Sequence, residues 1–329
     1  MRGILTIKEI ASKLLKYICK PSQIYLLATS KGFTRFVPDG IHLQLSYRII
    51  FGRKLDLDNP RTFSEKLQWL KLHNRNPLYT LMVDKYRAKE FIASKVGFEH
   101  VVPNLAVWDS PECIDLLGLP DKFVLKTNHD CGGVVICTDK ATFDLESAKV
   151  ELGRHLAKNY YYGGREWPYR DVKPLVFAEK FLDDFDSKID DSADGWEGID
   201  EYDFLCFNGE PKLIAFCHGD KTDPSKRCND YYSCSWDPLE ITCGYEACES
   251  VHRKPKQLDE MLLIAKELSK GIPFLRVDLF ISHDIVLVGE LTFFPWGGFA
   301  QFQPFAAECE LGEWIDLAIF ARNSREVLL

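Results

Sequence analysis

Four residues near the end of the chain have the types and spacing from which chemistry can be built: Arg276, Asp278, Glu290 and Thr292, within FLRVDLFISHDIVLVGELTFFPWGGF (274–299). Two strand-like runs, 274–281 and 285–294, flank the polar turn Ser282-His283-Asp284, which is the pattern of a β-hairpin. A turn centred on His283 sets Arg276 opposite Glu290 and Asp278 opposite Val288. Side chains alternate along a strand, so all four polar residues then share one face, with Asp278 and Glu290 as diagonal neighbours. An even-numbered turn would instead send Glu290 to the other face. Two carboxylates on a face otherwise made of Phe and Val are costly without a compensating charge. The residues alone allow two arrangements. One is an Arg276–Glu290 ion pair with Asp278 in water. The other is a magnesium site, in which carboxylates and substrate phosphates hold the ion and the arginine faces developing negative charge.

Phosphate-binding parts elsewhere would decide between them. Residues 121–137, DKFVLKTNHDCGGVVIC, read as two strands around a loop of small and polar residues, with Lys126 on the first strand. Backbone amides of a loop such as His129-Asp130-Cys131-Gly132-Gly133 can approach phosphate oxygens where side chains would block them, although most glycine pairs are simply hairpin turns. Cys131 sits where nearby positive charge can lower a thiol pKa. Lys85, in VDKYRAKEF, opens a charged helix that ends near Gly97, a pattern that also suits a plain surface helix.

Further elements must position these groups. The segment from Gly40 to Lys71 is helical, and Asn59-Pro60-Arg61-Thr62-Phe63-Ser64-Glu65-Lys66 predicts a turn into a capped helix running through Trp69. A helix around 141–158 precedes a strand at 176–182, after which an acidic, loop-like segment runs through Tyr202. Asn208-Gly209 marks another hairpin. A helix covers about 257–270, and a last one lies near 308–323. Residues 1–20 carry Arg2, Lys8, Lys13, Lys16 and Lys20 against Glu9, with apolar residues at helical spacing. Such a basic amphipathic helix docks either on the chain's own core or on an anionic membrane surface or a partner.

With 329 residues, 46% of them hydrophobic, the chain can bury a sizeable core and form two or three subdomains. Its formal net charge of -8 argues against a nucleic-acid binder, which needs basic stripes. Eleven scattered cysteines without a secretory signal point to a reducing, cytosolic setting. No apolar run approaches the roughly 18 residues of a membrane span. Cys217, Cys228, Cys234, Cys243 and Cys248 with His218 and His252 match no common zinc spacing.

In this order the segments NPRTFSEKLQWLKL, VDKYRAKEF, KFVLKTNHDCGG, FAEKFL, YDFLCFNG and GELTFFPWGGF resemble the ATP-grasp superfamily, in its teichuronopeptide-biosynthesis (TupA-like) branch. The resemblance runs from about Ser46 to about Leu317. It implies an α+β ATP-grasp fold: a helical N-terminal region over 1–75, an N-subdomain with the glycine-rich phosphate loop over 76–182, and a C-subdomain with the metal-binding hairpin over 183–329. By this resemblance Lys85 and Lys126 hold the phosphates of ATP, and Asn128, His129, Gly132 and Gly133 form the loop closing over them. Glu179, Lys180, Phe181 and Leu182 form the hinge edging the adenine. Asp278 and Glu290 ligate Mg²⁺, and Arg276 faces the transferred phosphoryl group; Arg276, Lys126 and Lys85 are then the catalytic cations.

Three positions depart from the family pattern. Thr292 stands where many members have a metal-binding asparagine, Cys131 where this branch commonly has serine, and Asp203 where relatives often have lysine, reversing a charge near the nucleotide. The implied activity is ATP-dependent carboxylate–amine ligation in bacterial surface-polysaccharide (capsule) biosynthesis. Its substrates would be a carboxylate and an amine, one of them carried on a nucleotide- or lipid-linked sugar, and the enzyme would be cytoplasmic with peripheral contact at the inner membrane through residues 1–20. Two alternatives stand beside it. One is a glycosyltransferase using Asp56-Leu57-Asp58 as an Asp-x-Asp motif, and the other is a nucleotide-binding homologue without chemistry.

Overall fold

Helical and alternating apolar patterns divide the chain into helices and two antiparallel sheets, as seen in a computed structural model that describes residues 22–182, 200–219, 227–248 and 252–318. The basic segment 1–20 and most of the acidic segment lie outside the described residues. The helical region comprises α1 (Ser22–Ser30), α2 (Asp39–Phe51), α3 (Phe63–His73), α4 (Leu78–Val83) and α5 (Ala88–Val96). Thr62 and Glu65 start α3 with a reciprocal capping box, as the sequence predicts.

Strands β1 (Asn104–Trp108), β2 (Phe123–Thr127), β3 (Val134–Cys137) and β4 (Val176–Lys180) form a sheet of order β1-β4-β2-β3, with α6 (Leu145–Leu156) and α7 (Tyr161–Gly164) inserted before β4. Its core, including Ile114, Phe123, Leu125, Leu152 and Val176, is separate from the larger one. The second sheet takes β5 (Glu201–Phe207), β6 (Glu210–Gly219), β7 (Arg227–Tyr232), β8 (Pro238–Leu239), β9 (Phe274–Ser282) and β10 (Ile285–Thr292) in the order β10-β9-β5-β6-β7-β8. The strand β5 already begins at Glu201, so the last two residues of the segment read as loop-like, Glu201 and Tyr202, are strand. Asn208 and Gly209 both take positive φ, closing the β5–β6 hairpin as expected. Helix α8 (Leu258–Ser269) and α3, α4 and α5 bury Leu67, Met82, Ile92, Met261 and Leu268 with Val277 and Leu279 of the sheet in one core.

Helix α9 (Phe305–Trp314) starts before the expected 308–323 and breaks within it, the chain being helical again at 317–318, where the described residues end. Pro304 fixes its start, since proline is tolerated only at a helix's first turn, and it stops where Ile315 turns extended and is fully buried. Glu308 on α9 is fully buried. It accepts hydrogen bonds from Ser64 N (2.7 Å), Ser64 Oγ (2.6 Å) and Phe302 N (3.0 Å), placing a carboxylate at the N-terminus of α3. Burial pushes its pKa up, while these donors oppose the shift.

The turn of the β9–β10 hairpin differs from expectation, yet the face survives. The turn has two residues, His283 and Asp284, both at positive φ, with Ser282 paired to Ile285. That even register would set Gly289 against Asp278 and turn Glu290 away. A bulge between Val288 and Glu290 absorbs one residue and restores the pairs Glu290–Asp278 and Thr292–Arg276. Glu290 is thus directly opposite Asp278 rather than diagonal to it. Gly289 suits the bulge because a Cβ there would lie 3.2 Å from the Phe280 ring and 3.3 Å from Asp278 O.

Replacing Glu308 with Ala is expected to lower unfolding free energy by roughly 3 kcal/mol, since it strands buried donors on two segments. Urea denaturation of the purified chain measures this, and a loss below about 1 kcal/mol would show that α9 is held mainly by its apolar contacts.

Candidate active site

Three adjacent strands bring three carboxylates into one row: Asp203 on β5 pairs with Asp278 on β9, which pairs with Glu290 on β10. Arg276, one step along the same face, serves all three. Its Nε donates to Asp278 Oδ1 (2.7 Å) and Nη2 to Asp278 Oδ2 (2.5 Å). It also lies 3.5 Å from Glu290 Oε1 and 3.5 Å from Asp203 Oδ2. Thr292 Oγ1 donates to Glu290 Oε1 at 3.4 Å. Asp278 is buried, not in water as the simple ion-pair arrangement required. Burial first, and then the Asp203 and Glu290 charges, push its pKa well above the carboxylate range against the pull of Arg276.

The structure gives Asp203, which the sequence marked only as a charge reversal, its neighbours. It stands inside the acidic row, where its Oδ2 also accepts from Cys217 Sγ at 3.6 Å, so its charge faces Arg276. The pairing of β5 with β9, which no local pattern reports, puts it there.

Lys85 lies in the turn between α4 and α5, with its Nζ 3.0 Å from Glu290 Oε2 and donating to the Asp130 carbonyl at 2.8 Å. Its backbone N–H donates to Asn128 O at 2.9 Å. One lysine therefore ties the acidic hairpin to the glycine-rich loop. Loss of water lowers its pKa, but Glu290 outweighs this and holds it above the ordinary lysine value. Lys126 ion-pairs with Glu179 on the neighbouring β4, and the other oxygen of Glu179 takes Lys89 Nζ at 2.8 Å. Burial pushes the Glu179 carboxyl up, yet the two lysines together hold it below its usual range. Lys89 was not singled out in the sequence, where it looked like one more charge on a surface helix.

The loop between β2 and β3 is shaped from within. Thr127 Oγ1 donates to one oxygen of Asp130 and His155 Nδ1 pairs with the other. Gly132 takes φ +92°, and a Cβ on Gly133 would lie 1.8 Å from Thr127 Oγ1, so neither position tolerates a larger residue. Asn128 is fully buried, with Nδ2 donating to Lys173 O (3.0 Å) and Oδ1 accepting from Leu175 N (2.9 Å). His129 Nε2 pairs with Lys158 O at 3.0 Å. Their side chains thus fasten the base of the loop. Cys131 is exposed at its tip. Its thiol is shifted up, not down: lost hydration and the Glu290 charge outweigh Lys85.

After Glu179 the expected hinge divides. The Lys180 side chain is exposed while its N–H donates to Pro103 O at 3.0 Å, Lys122 Nζ lies 5.6 Å from the Phe181 ring, and Leu182 packs with Val102, Phe280 and Leu287. Behind the hairpin, Lys71 donates to Gly164 O (2.6 Å) and Gly297 O (2.5 Å), fixing the loop after β10. Burial lowers its pKa to about 7, and burial, aided by Glu290, raises that of the nearby Glu166 to about 7. Neither residue had a sequence signal beyond an ordinary charge. Asp56, by contrast, is exposed and accepts from Asp58 N (3.1 Å) and Asn59 N (2.9 Å), which makes Asp56-Leu57-Asp58 a solvated turn.

Lys85, from the turn between α4 and α5, thus joins the acidic row to the glycine-rich loop, the make-up of a site for phosphates and a hard cation. The chain belongs to the TupA-like ATPgrasp family, whose sequence model matches residues 65–316. Among solved structures it is similar to D-alanine–D-alanine ligase from Bacillus anthracis complexed with ATP, at 15% identity over 75% of this chain and 67% of that one, with a TM-score of 0.40. The corresponding ligase from Helicobacter pylori matches at 15% identity over 77% and 69%, with a TM-score of 0.39. The ATP-grasp ligase PsnB, complexed with a phosphomimetic variant of its minimal precursor, Mg and ADP, matches at 14% over 78% and 65%, also at 0.39. No curated protein sequence matches the chain.

Gly133→Ala is expected to disrupt the loop locally, because the added methyl group overlaps Thr127 Oγ1. Nucleotide affinity should fall at least about tenfold, equivalent to about 1.4 kcal/mol, with the far-UV spectrum retained. Unchanged affinity for an ATP analogue would show that the loop does not shape the nucleotide site.

Proposed function

We propose that this chain is an ATP-dependent carboxylate–amine ligase working through an acyl phosphate. The observation that carries the proposal is the Lys85 bridge, which sets Glu290 of the acidic row against the glycine-rich loop. Family membership supports the same class of chemistry. The donor set fits Mg²⁺: Asp278 and Glu290 offer carboxylate oxygens and Thr292 a hydroxyl, and the row has more negative charge than Arg276 alone balances. When bound, the ion supplies neutralisation of the phosphate charge. Lys85 and Lys126 would hold phosphate oxygens, the amides around Gly132 and Gly133 would line the phosphates, and Arg276 would face the group in transfer. A substrate carboxylate attacks the γ-phosphorus of ATP, releasing ADP, and an amine then displaces phosphate from the acyl phosphate.

The finer assignment is that the carboxylate belongs to a uronic acid of a bacterial surface polysaccharide and the amine to an amino acid. It rests on the family resemblance and leaves the site chemistry unchanged.

Asp278→Asn or Glu290→Gln should reduce Mg²⁺-dependent ATP turnover at least about 100-fold with the fold intact, the scale of losing a key electrostatic group. The reaction class is tested by screening uronic acids, their nucleotide-linked forms and amino acids with hydroxylamine as the trapping amine. Hydroxamate formed in step with ADP is the expected result. ADP without hydroxamate under a carboxylate that stimulates turnover would indicate a kinase, and AMP with pyrophosphate would replace the acyl phosphate by an adenylate.

A further inference from the structure

Outside the active site, the far edge of the six-stranded sheet gathers four residues of metal-ligating type. Cys228 and Asp230 stand two apart on β7 and so share a face. Cys228 is joined to Cys248 by a disulfide, and His252 follows three intervening residues later. Sulfur of Cys248, a carboxylate oxygen of Asp230 and a ring nitrogen of His252 all lie within 4.8 Å of one another. Neither the Cys-x-Asp pair nor the Cys248–His252 spacing is among the usual zinc patterns, so the donor types and their proximity in the fold, not the sequence, mark the site. The Cys228–Cys248 pairing had no short spacing to announce it in the sequence.

A disulfide needs neither the aspartate nor the histidine, yet both are held in place. His252 N donates to Tyr232 Oη (3.2 Å) and His252 O accepts from Trp236 Nε1 (3.0 Å), so its backbone is clamped on both sides. The buried ring packs 4.2 Å from Phe216 and 5.5 Å from His218, centroid to centroid. Asp230 Oδ1 accepts from Cys248 N at 3.0 Å, which orients Oδ2 toward His252 Nε2 at 3.6 Å. That is the kind of outer support that fixes ligands around a metal. His218 is occupied with Asp200 at 2.7 Å and stays outside the set.

We propose that the reduced chain binds one zinc ion through Cys228, Asp230, Cys248 and His252, so that disulfide and metal are alternative states of one site. A dithiol reductant takes the chain from one to the other: it is oxidised to its own disulfide, and its two hydrogens pass to the Cys228 and Cys248 sulfurs. Zinc then replaces both thiol protons, which leave to solvent, and neutral His252 and ionised Asp230 complete four ligands. Once the disulfide is reduced, zinc bonds of about 2.0–2.3 Å require the two sulfurs to separate and the Asp230 and His252 donors to draw in by about an ångström, within reach of side-chain rotation.

The test uses the full chain reduced with a water-soluble phosphine, which competes little for metal, then freed of metal and titrated with Zn²⁺ against a chromophoric chelator. The expected result is one zinc per reduced chain at this site and none in the disulfide form. Cys248→Ser should weaken binding at least about 100-fold, and Asp230→Asn, which preserves shape, about tenfold or more. Because a variant can lose metal by misfolding, the reduced wild-type chain is also loaded with Co²⁺, whose visible spectrum reports tetrahedral thiolate ligation. Thiolate-type bands support the site. Their absence, a reduced chain that takes up no zinc, or equal affinity in folded Cys248→Ser would each overturn it.

Discussion

Three carboxylates on neighbouring strands share one guanidinium, and the rest of the site is arranged around that excess of negative charge. Asp203, Asp278 and Glu290 cannot all stay ionised beside Arg276 alone without a large cost in desolvation and repulsion. Lys85 supplies part of the missing charge from the helical region, and in doing so fixes where the glycine-rich loop sits through the Asp130 carbonyl. Glu179 repeats the device with the opposite sign, as one buried carboxylate on the four-stranded sheet holding Lys126 of that sheet and Lys89 of α5 together. In both, a carboxylate placed between two cations limits their repulsion.

The fold protects that register at each step. The hairpin turn has an even number of residues, which would turn Glu290 outward, and the bulge at Gly289 reverses the error before the acidic row is reached. Behind β10, Lys71 bonds to carbonyls of both Gly164 and Gly297, so the strand end cannot drift from the helical region. Glu308 does the same for α3 and α9. Buried charged groups here fix positions more than they add stability, because their desolvation offsets much of what the contacts contribute.

Local chemistry was legible in the sequence and long-range pairing was not. Asp278, Glu290, Lys85 and Lys126 stood out because ionisable residues interrupted apolar strands or opened a helix, and the Asn208-Gly209 turn and the Thr62 capping box announced themselves by short-range rules. The Gly289 bulge was invisible because an inserted residue leaves no periodic trace. The carboxylate partners of Asp203 were not legible, because they come from a strand about 75 positions later through the β5–β9 pairing. Asn128 and His129 read as loop residues closing over phosphates, and the Asn128 amide and His129 Nε2 are bonded to the segments at 173–175 and 158. Lys89, Glu166 and Lys71 looked like surface charges until burial showed otherwise.

The central claim is that the acidic row and the Lys85–loop junction form one site for a cation and the phosphates it accompanies. Diffraction from crystals of the chain with Mn²⁺ and a non-hydrolysable ATP analogue, with anomalous scattering to locate the manganese, tests it most directly. Manganese is expected on Asp278 and Glu290 and phosphate oxygens on Lys85 and Lys126. Manganese bound away from both carboxylates, or a nucleotide whose phosphates touch neither lysine, would contradict it.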